Sequence, residues 1–504
     1  MSEVQARGPF LPAFDSAILR LAKGSEANQV ASGRAFFSGG GDLLKSGKRW
    51  LAPFSAAALC LTAWGAAAAE QGLWERDKLT GDWGGARSAL ENRGVVVTLD
   101  YIGETLSIQR GGLHRGTTYE GRLDGIINTD LEKLIGWTGG STHVRAFQIH
   151  KHRHNAADLV GSIADPSNID ATPATRLFTA WFQQDFGKFA SIRVGQLAAD
   201  DEFLVSATAG GLINGTFGWA AMTAANLPSG GAAYPLATPG ARLQVNLTES
   251  FSLLAGAFSG DPAGKRCYDD NPDANPQICN KHGTTFSFSG GTFWIGEAQY
   301  QLNQGKDATG LASAYKIGAW RHTGNRFADQ HFGDDGTGTG TLVSLANEPP
   351  LPFNHTDNWG IYGVIDQMLW RADGRSVSVF VRGGASPSDR NLVSRYIDGG
   401  VGFKGLLASR PDDTLTFGVA HSKISKDAAA LDQDILALNG PPYPIRSAET
   451  VYELSYIVQI APWWTIQPDI QYIVRPGGGI PHPDDGSKTV GNAFVIGART
   501  TINF

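Results

Sequence analysis

Cysteine is scarce in this chain, three residues in 504, and charge is thin, with Asp, Glu, Lys and Arg making up 18%. So few cysteines argue against a disulfide-built scaffold. Acidic residues outnumber basic ones, 48 to 42, which leaves no sign of a nucleic-acid partner. Neither HExxH nor G-x-S-x-G occurs, so a zincin or a nucleophile-elbow hydrolase is not indicated. Gly400, Gly402 and Gly405 fit G-x-G-x-x-G, but no helix follows them, and a dinucleotide fingerprint needs one. Beyond residue 69 no stretch holds 18 consecutive apolar residues, which excludes helical membrane spans. His150, His152 and His154 alternate along one strand face with Lys151 and Arg153 interleaved, the pattern of a solvated rim rather than a metal centre. No metal or other cofactor is implied.

The chain is rich in glycine, with 64 residues, and in tryptophan, with 13. Near its start Lys45, Lys48 and Arg49 precede an apolar run from Trp50 to Trp64, then Ala66 to Ala69 and Glu70. A charged segment, an apolar segment and small residues in that order make a signal peptide, so residues 1–69 read as presequence and signal with cleavage near Glu70. Their removal takes away seven basic and four acidic side chains and leaves the remainder more acidic than the formal −6 of the whole. Cys60 leaves with the signal, and the remaining pair, Cys267 and Cys279, flanks a polar loop of an exported protein, where a disulfide is the default. Calcium binding by Asp269, Asp270 and Asp273 is the rival reading, and their spacing is not that of an EF-hand.

Period-two alternation runs through the rest. Tyr452, Leu454, Tyr456, Val458 and Ile460 share one face, and Glu453, Ser455 and Gln459 the other. Ile466, Ile470 and Tyr472 oppose Gln467, Asp469 and Gln471 in the next segment, and Phe494, Ile496, Ile502 and Phe504 oppose Arg499, Thr501 and Asn503 in the last. Strands are expected at about 95–105, 120–133, 141–152, 176–185, 190–197, 241–247, 251–258 and 292–302. Eight more follow at about 312–322, 360–371, 376–382, 396–406, 414–423, 451–460, 465–475 and 493–504. Their connections alternate between short (461–464, 372–375, 248–250) and long (198–240, 259–291, 323–359). This predicts an all-β fold, a sixteen-stranded antiparallel transmembrane up-and-down β-barrel over residues 95–504. Residues 70–94 are expected to hold a short periplasmic helix from Ala86 to Asn92, capped by Asp82 and stopped by Gly94.

The motifs LTGDWGGAR (79–87), DLEKL (130–134), IRVGQLAADDEF (192–203), NLPSGGAAYPLATPGARL (226–243), FKGLLASRPDDTLTFG (403–418) and IQPDIQYIVRPGG (466–478), with the terminal Phe504, resemble the carbohydrate-selective porin family of Gram-negative outer membranes. The resemblance implies a monomeric or homotrimeric channel passing glucose and related sugars down their gradients. Outer-membrane lipid, lipopolysaccharide and the barrel-assembly machinery are its implied partners, and a general diffusion porin is the alternative.

Inward positions then supply the candidate pore lining: Glu104, Arg122, Asp124, Arg145, Arg193, Arg242 and Gln244. Arginine offers a planar fork to neighbouring hydroxyls, and carboxylates accept the protons those hydroxyls donate. The 198–240 connection, with Asp200, Asp201, Glu202 and Trp219, is expected to fold inward and narrow the pore. Phe504 is expected to act in assembly, as a terminal aromatic on the lipid face.

Overall fold

Alternation gives each strand one face for lipid and one for the lumen, and closing the sheet on itself leaves no unpaired amide in hydrocarbon. The computed structural model describes residues 72–504 apart from residues 153, 265–266, 268–273, 306–307, 325–326 and 348–350 and the side chain of Pro352. The expected signal peptide and Asp269, Asp270 and Asp273 lie outside the described residues.

Sixteen antiparallel strands close into one barrel in sequence order, the last pairing with the first. They are β1 (Val95–Gly112), β2 (Gly116–Asp130), β3 (Gly140–His152), β4 (Ala174–Phe186), β5 (Ala190–Leu197), β6 (Thr238–Asn246), β7 (Phe251–Ser259) and β8 (Thr292–Leu302). The other half comprises β9 (Ser313–His322), β10 (Asn358–Ala372), β11 (Arg375–Ala385), β12 (Val393–Lys404), β13 (Thr414–Ile424), β14 (Ala448–Ala461), β15 (Trp464–Val474) and β16 (Gly491–Asn503). All sixteen expected strands are present. The faces fall as the alternation requires: Leu454, Ile470 and Ile496 are exposed outside, and Glu453, Ser455 and Gln471 are buried inside.

The helix Ala86–Asn92 also forms. Asp82 accepts a hydrogen bond from the Ser88 N–H at 2.8 Å, and Gly94 takes φ +87°, which a side chain would strain. The helix sits at the end of the barrel that holds the short turns, where Arg87 donates to the Phe504 carbonyl oxygen at 2.8 Å and lies 4.2 Å from the Trp83 ring. Trp74 stacks on Trp463 in the β14–β15 turn. Phe504 is half-buried, and its N–H donates to the Leu99 carbonyl at 2.8 Å.

The long connections hold structure that alternation does not announce. Phe327–Asp334 pairs with Leu342–Ser344 and Leu351–His355 in a three-stranded sheet, and helix Lys426–Asn439 packs beside it. His331 Nε2 lies 2.8 Å from Asp434 on that helix. Cys267 and Cys279 are joined in a disulfide, with Cα atoms 5.4 Å apart.

The inner wall is not uniformly polar. Leu254, Phe258, Phe293, Ile295, Trp320 and Phe380 all point inward and form one apolar cluster with Phe203, Leu204, Leu212, Phe217 and Met222 of the 198–237 connection. Burying that face in the lumen stabilises the inward loop by about 1.5–3 kcal/mol per large side chain.

Candidate functional site

Two connections enter the lumen, where the sequence had pointed to one. The 198–237 loop leaves β5 and is fastened to distant strands. Glu297 on β8 accepts from the Leu204 N–H at 3.0 Å, and Asp366 on β10 accepts from Thr208 N–H at 2.8 Å and from the Ser206 hydroxyl. Glu453 on β14 accepts from the Ile213 and Asn214 N–H groups. Arg382 on β11, fully buried, donates to the carbonyls of Leu204, Thr216 and Gly218 at 2.9–3.0 Å and pairs with Asp398 at 2.5 Å. Backbone groups that would otherwise be unsatisfied in a loop thus end on wall side chains. The second loop, residues 154–173, is held likewise: Glu449 accepts from Ile163 and Ala164 N–H at 2.8 Å.

Inward side chains of β2 to β6 and the start of the first loop form a mixed-charge cluster, of which Arg145, Arg193, Asp201 and Glu202 stay partly exposed and mark the candidate passage. Asp124 bridges two arginines, Arg145 at 2.6 Å and Arg122 at 3.5 Å. Glu202, at the start of the inward loop, bridges two more, Arg193 at 2.6 Å and Arg242 at 2.7 Å. Asp201 lies 3.8 Å from Arg145. The β5–β6 register places Arg193 directly opposite Arg242, and both donate to Gln183 at 3.0 Å. Like charges directly opposed repel, and the shared Glu202 offsets that repulsion.

Aromatic rings back the arginines. Arg193 lies 3.8 Å over Trp181, Arg145 lies 5.0 Å from Phe147, and Arg122 lies between Phe147 at 4.7 Å and Tyr234 at 5.0 Å. Each ring orients a guanidinium by cation–π attraction.

The sequence-expected residues therefore separate by position. Arg122, Asp124, Arg145, Arg193, Asp201 and Glu202 come together at the passage. Arg145, Arg193, Glu202 and Asp201 keep 23%, 17%, 20% and 37% of their side-chain surface open. Arg242 is buried, donates to Ser191 Oγ at 2.6 Å, and acts as a brace under Glu202. Glu104 is buried against Arg499 at 2.6 Å, and Gln244 donates to Asn246 at the periplasmic end of β6. Asp200 accepts from the Tyr234 N–H at 2.9 Å. Trp219 does not line the passage: its indole donates to the Gly230 carbonyl at 3.0 Å inside the loop's apolar packing. His150 points outward, where it contacts Tyr101 at the extracellular edge.

Sequence reasoning passed over Glu120 and Asp170. Both are buried, Glu120 beside the Ala156 N–H and Asp170 beside the Ala157 N–H of the second inward loop. Glu120 precedes Arg122 by two on the inward face of β2, so the alternation already carried its signal. Asp170 lies in the second loop, where no periodicity shows direction. Trp181 and Gln183 were missed because a register shift in the β3–β4 pairing displaces the simple alternation of β4.

Burial, and then the neighbouring Asp201 carboxylate, push the Asp200 acid up to about 7. Its ionisation adds a negative charge beside the passage as pH rises. Reversal potentials under a salt gradient should therefore show cation preference increasing between roughly pH 6 and 8. An Asp200→Asn channel that showed the same increase would assign it to another group.

A family model for carbohydrate-selective porins of the OprB family matches residues 114–504. Porin B of Pseudomonas aeruginosa is 25% identical over 452 residues, which cover 84% of this chain and 90% of the relative. The putative porin QuiX of Acinetobacter baylyi is 23% identical over 466 residues, covering 86% and 94%. A high-pH structure of Pseudomonas putida OprB matches the fold with a TM-score of 0.74 at 22% identity, over 86% of this chain and 100% of that one. With its closed sixteen-stranded barrel and a family match spanning most of its length, the chain belongs to the carbohydrate-selective porin family, OprB type.

Proposed function

We propose that this protein is a passive channel of the Gram-negative outer membrane through which glucose and related sugars diffuse, and that it performs no catalysis. The observation that carries the reading is the mixed-charge passage along β2 to β6, where Arg145, Arg193, Asp201 and Glu202 stand partly open against aromatic rings. A sugar is neutral and carries donors and acceptors around its ring. Arginines donate to its hydroxyl oxygens and carboxylates accept its hydroxyl protons, so both signs of charge hold it without a net ionic barrier. Each such contact replaces water, which keeps the binding weak enough for release.

The signal peptide in residues 1–69 supports export, and cleavage near Glu70 belongs to the proposal. So does a role for Phe504 in recognition by the barrel-assembly machinery.

Liposome swelling tests the reading. Vesicles carrying the protein should swell faster in isotonic glucose than in an uncharged amino acid of similar size. Equal rates would make the channel a general diffusion porin instead.

A further inference from the structure

The outer wall carries an unexplained pair of cations. Arg395 on β12 and Lys423 on β13 are register partners, and both side chains are exposed. Both face outward, because Ile397, two residues along β12, is 55% exposed while the intervening Tyr396 is buried, and Phe417 is exposed on the same face of β13. Directly opposed like charges destabilise a sheet unless something of opposite sign sits between them. Among the described residues neither side chain has an ion pair or hydrogen bond, and Asp427, the acid nearest to Lys423 in sequence, is engaged by the Ser388 hydroxyl.

Their height on the barrel identifies what faces them. Each lies roughly nine residues above the periplasmic end of its strand, at Lys404 and Thr414, and a spanning strand takes about 9–11 residues. On β14 the register partner of Lys423 is Ala448, and the exposed Tyr452 pairs with Val419, four residues nearer the short-turn end on the same outer face. Roughly nine residues from the short-turn end, and above that aromatic ring, the pair stands at the outer-leaflet end of the span, the level of lipid headgroups. Below the pair the wall is apolar, with Ile397 and Phe417 ready for acyl chains.

We propose that Arg395 and Lys423 form a phosphate-binding site for lipopolysaccharide, taking a phosphate of its lipid A headgroup between them while its acyl chains lie against Ile397 and Phe417. The site lies outside the lumen and is independent of sugar passage.

Native mass spectrometry of the full-length protein in detergent, titrated with hexa-acyl bisphosphorylated lipid A, tests this. The Arg395→Gln/Lys423→Gln protein should bind it roughly 10- to 30-fold more weakly, as expected for the loss of two basic side chains near an anionic headgroup. Dephosphorylated lipid A should bind the wild type as weakly as the phosphorylated form binds the variant. Arg395→Lys should retain binding, and unchanged single-channel conductance shows that each variant is folded. Unaltered lipid A binding by the double variant would overturn the site. Phosphatidylglycerol binding as tightly, with the same dependence on both residues, would overturn the assignment to lipopolysaccharide.

Discussion

Replacing Arg382 with alanine is expected to widen the channel and abolish its preference for sugars. Arg382 donates to three carbonyls of the inward loop and to Asp398, and it is fully buried. Its loss leaves the Leu204 and Gly218 carbonyls without this donor, and Asp398 and the Thr216 carbonyl to the Tyr396 hydroxyl, a cost of about 3–5 kcal/mol for breaking a buried pair. Leu204, Thr216 and Gly218 would be released from β11, and the loop segment between them would leave its fixed position. Sixteen strands enclose a lumen that wall side chains cannot fill, so conductance should rise roughly two-fold or more. Because the alanine protein is also destabilised, Arg382→Met with Asp398→Leu supplies the second variant. It removes both charges at similar volume, restores much of the stability and still lacks the three tethers. If that channel conducts and discriminates like the wild type, Glu297, Asp366 and Glu453 hold the loop without Arg382.

The strands were legible because lipid favours alternation, and the pattern survives along most of the barrel, the register shift in β4 excepted. The loops obey no such rule. The sheet formed by Phe327–Asp334, Leu342–Ser344 and Leu351–His355 is interrupted by the Gly- and Thr-rich stretch 335–341, so no run is long enough to read. Helix Lys426–Asn439 did carry a signal, with Ser425 capping Ala428 and buried Ala428, Leu431 and Ile435 at helical spacing. It lies between two strands, where period-two alternation gives no sign of it. At the passage, Arg122, Asp124, Arg145 and Arg193 followed from direction alone, since parity fixes which face is inward. Their pairing did not follow. That Asp124 joins two arginines of neighbouring strands depends on register, and that Glu202 reaches both Arg193 and Arg242 depends on the course of a loop without period. Trp219 shows the limit from the other side. A tryptophan in an inward loop suggests a pore surface, yet its indole serves the loop's own packing.

Glucose should partially block the ion current of the wild-type channel, and Arg145→Ala with Arg193→Ala should remove most of that block. These arginines keep open surface toward the passage, whereas Arg242 is spent on Glu202, Ser191 and Gln183. A hydrogen bond to a charged group is worth roughly 1.5–3 kcal/mol before water competes, so two lost donors predict about a ten-fold or larger rise in the half-blocking glucose concentration. Arg242→Ala should act differently, releasing Glu202 and disturbing stability more than sugar affinity. The most direct measurement is the bilayer current of the wild-type and Arg145→Ala/Arg193→Ala channels titrated with glucose. Block in the wild type, with affinity lost in a folded variant, is the predicted result. An unchanged half-blocking concentration, accompanied only by a shift in ion selectivity, would contradict a sugar path built on these arginines.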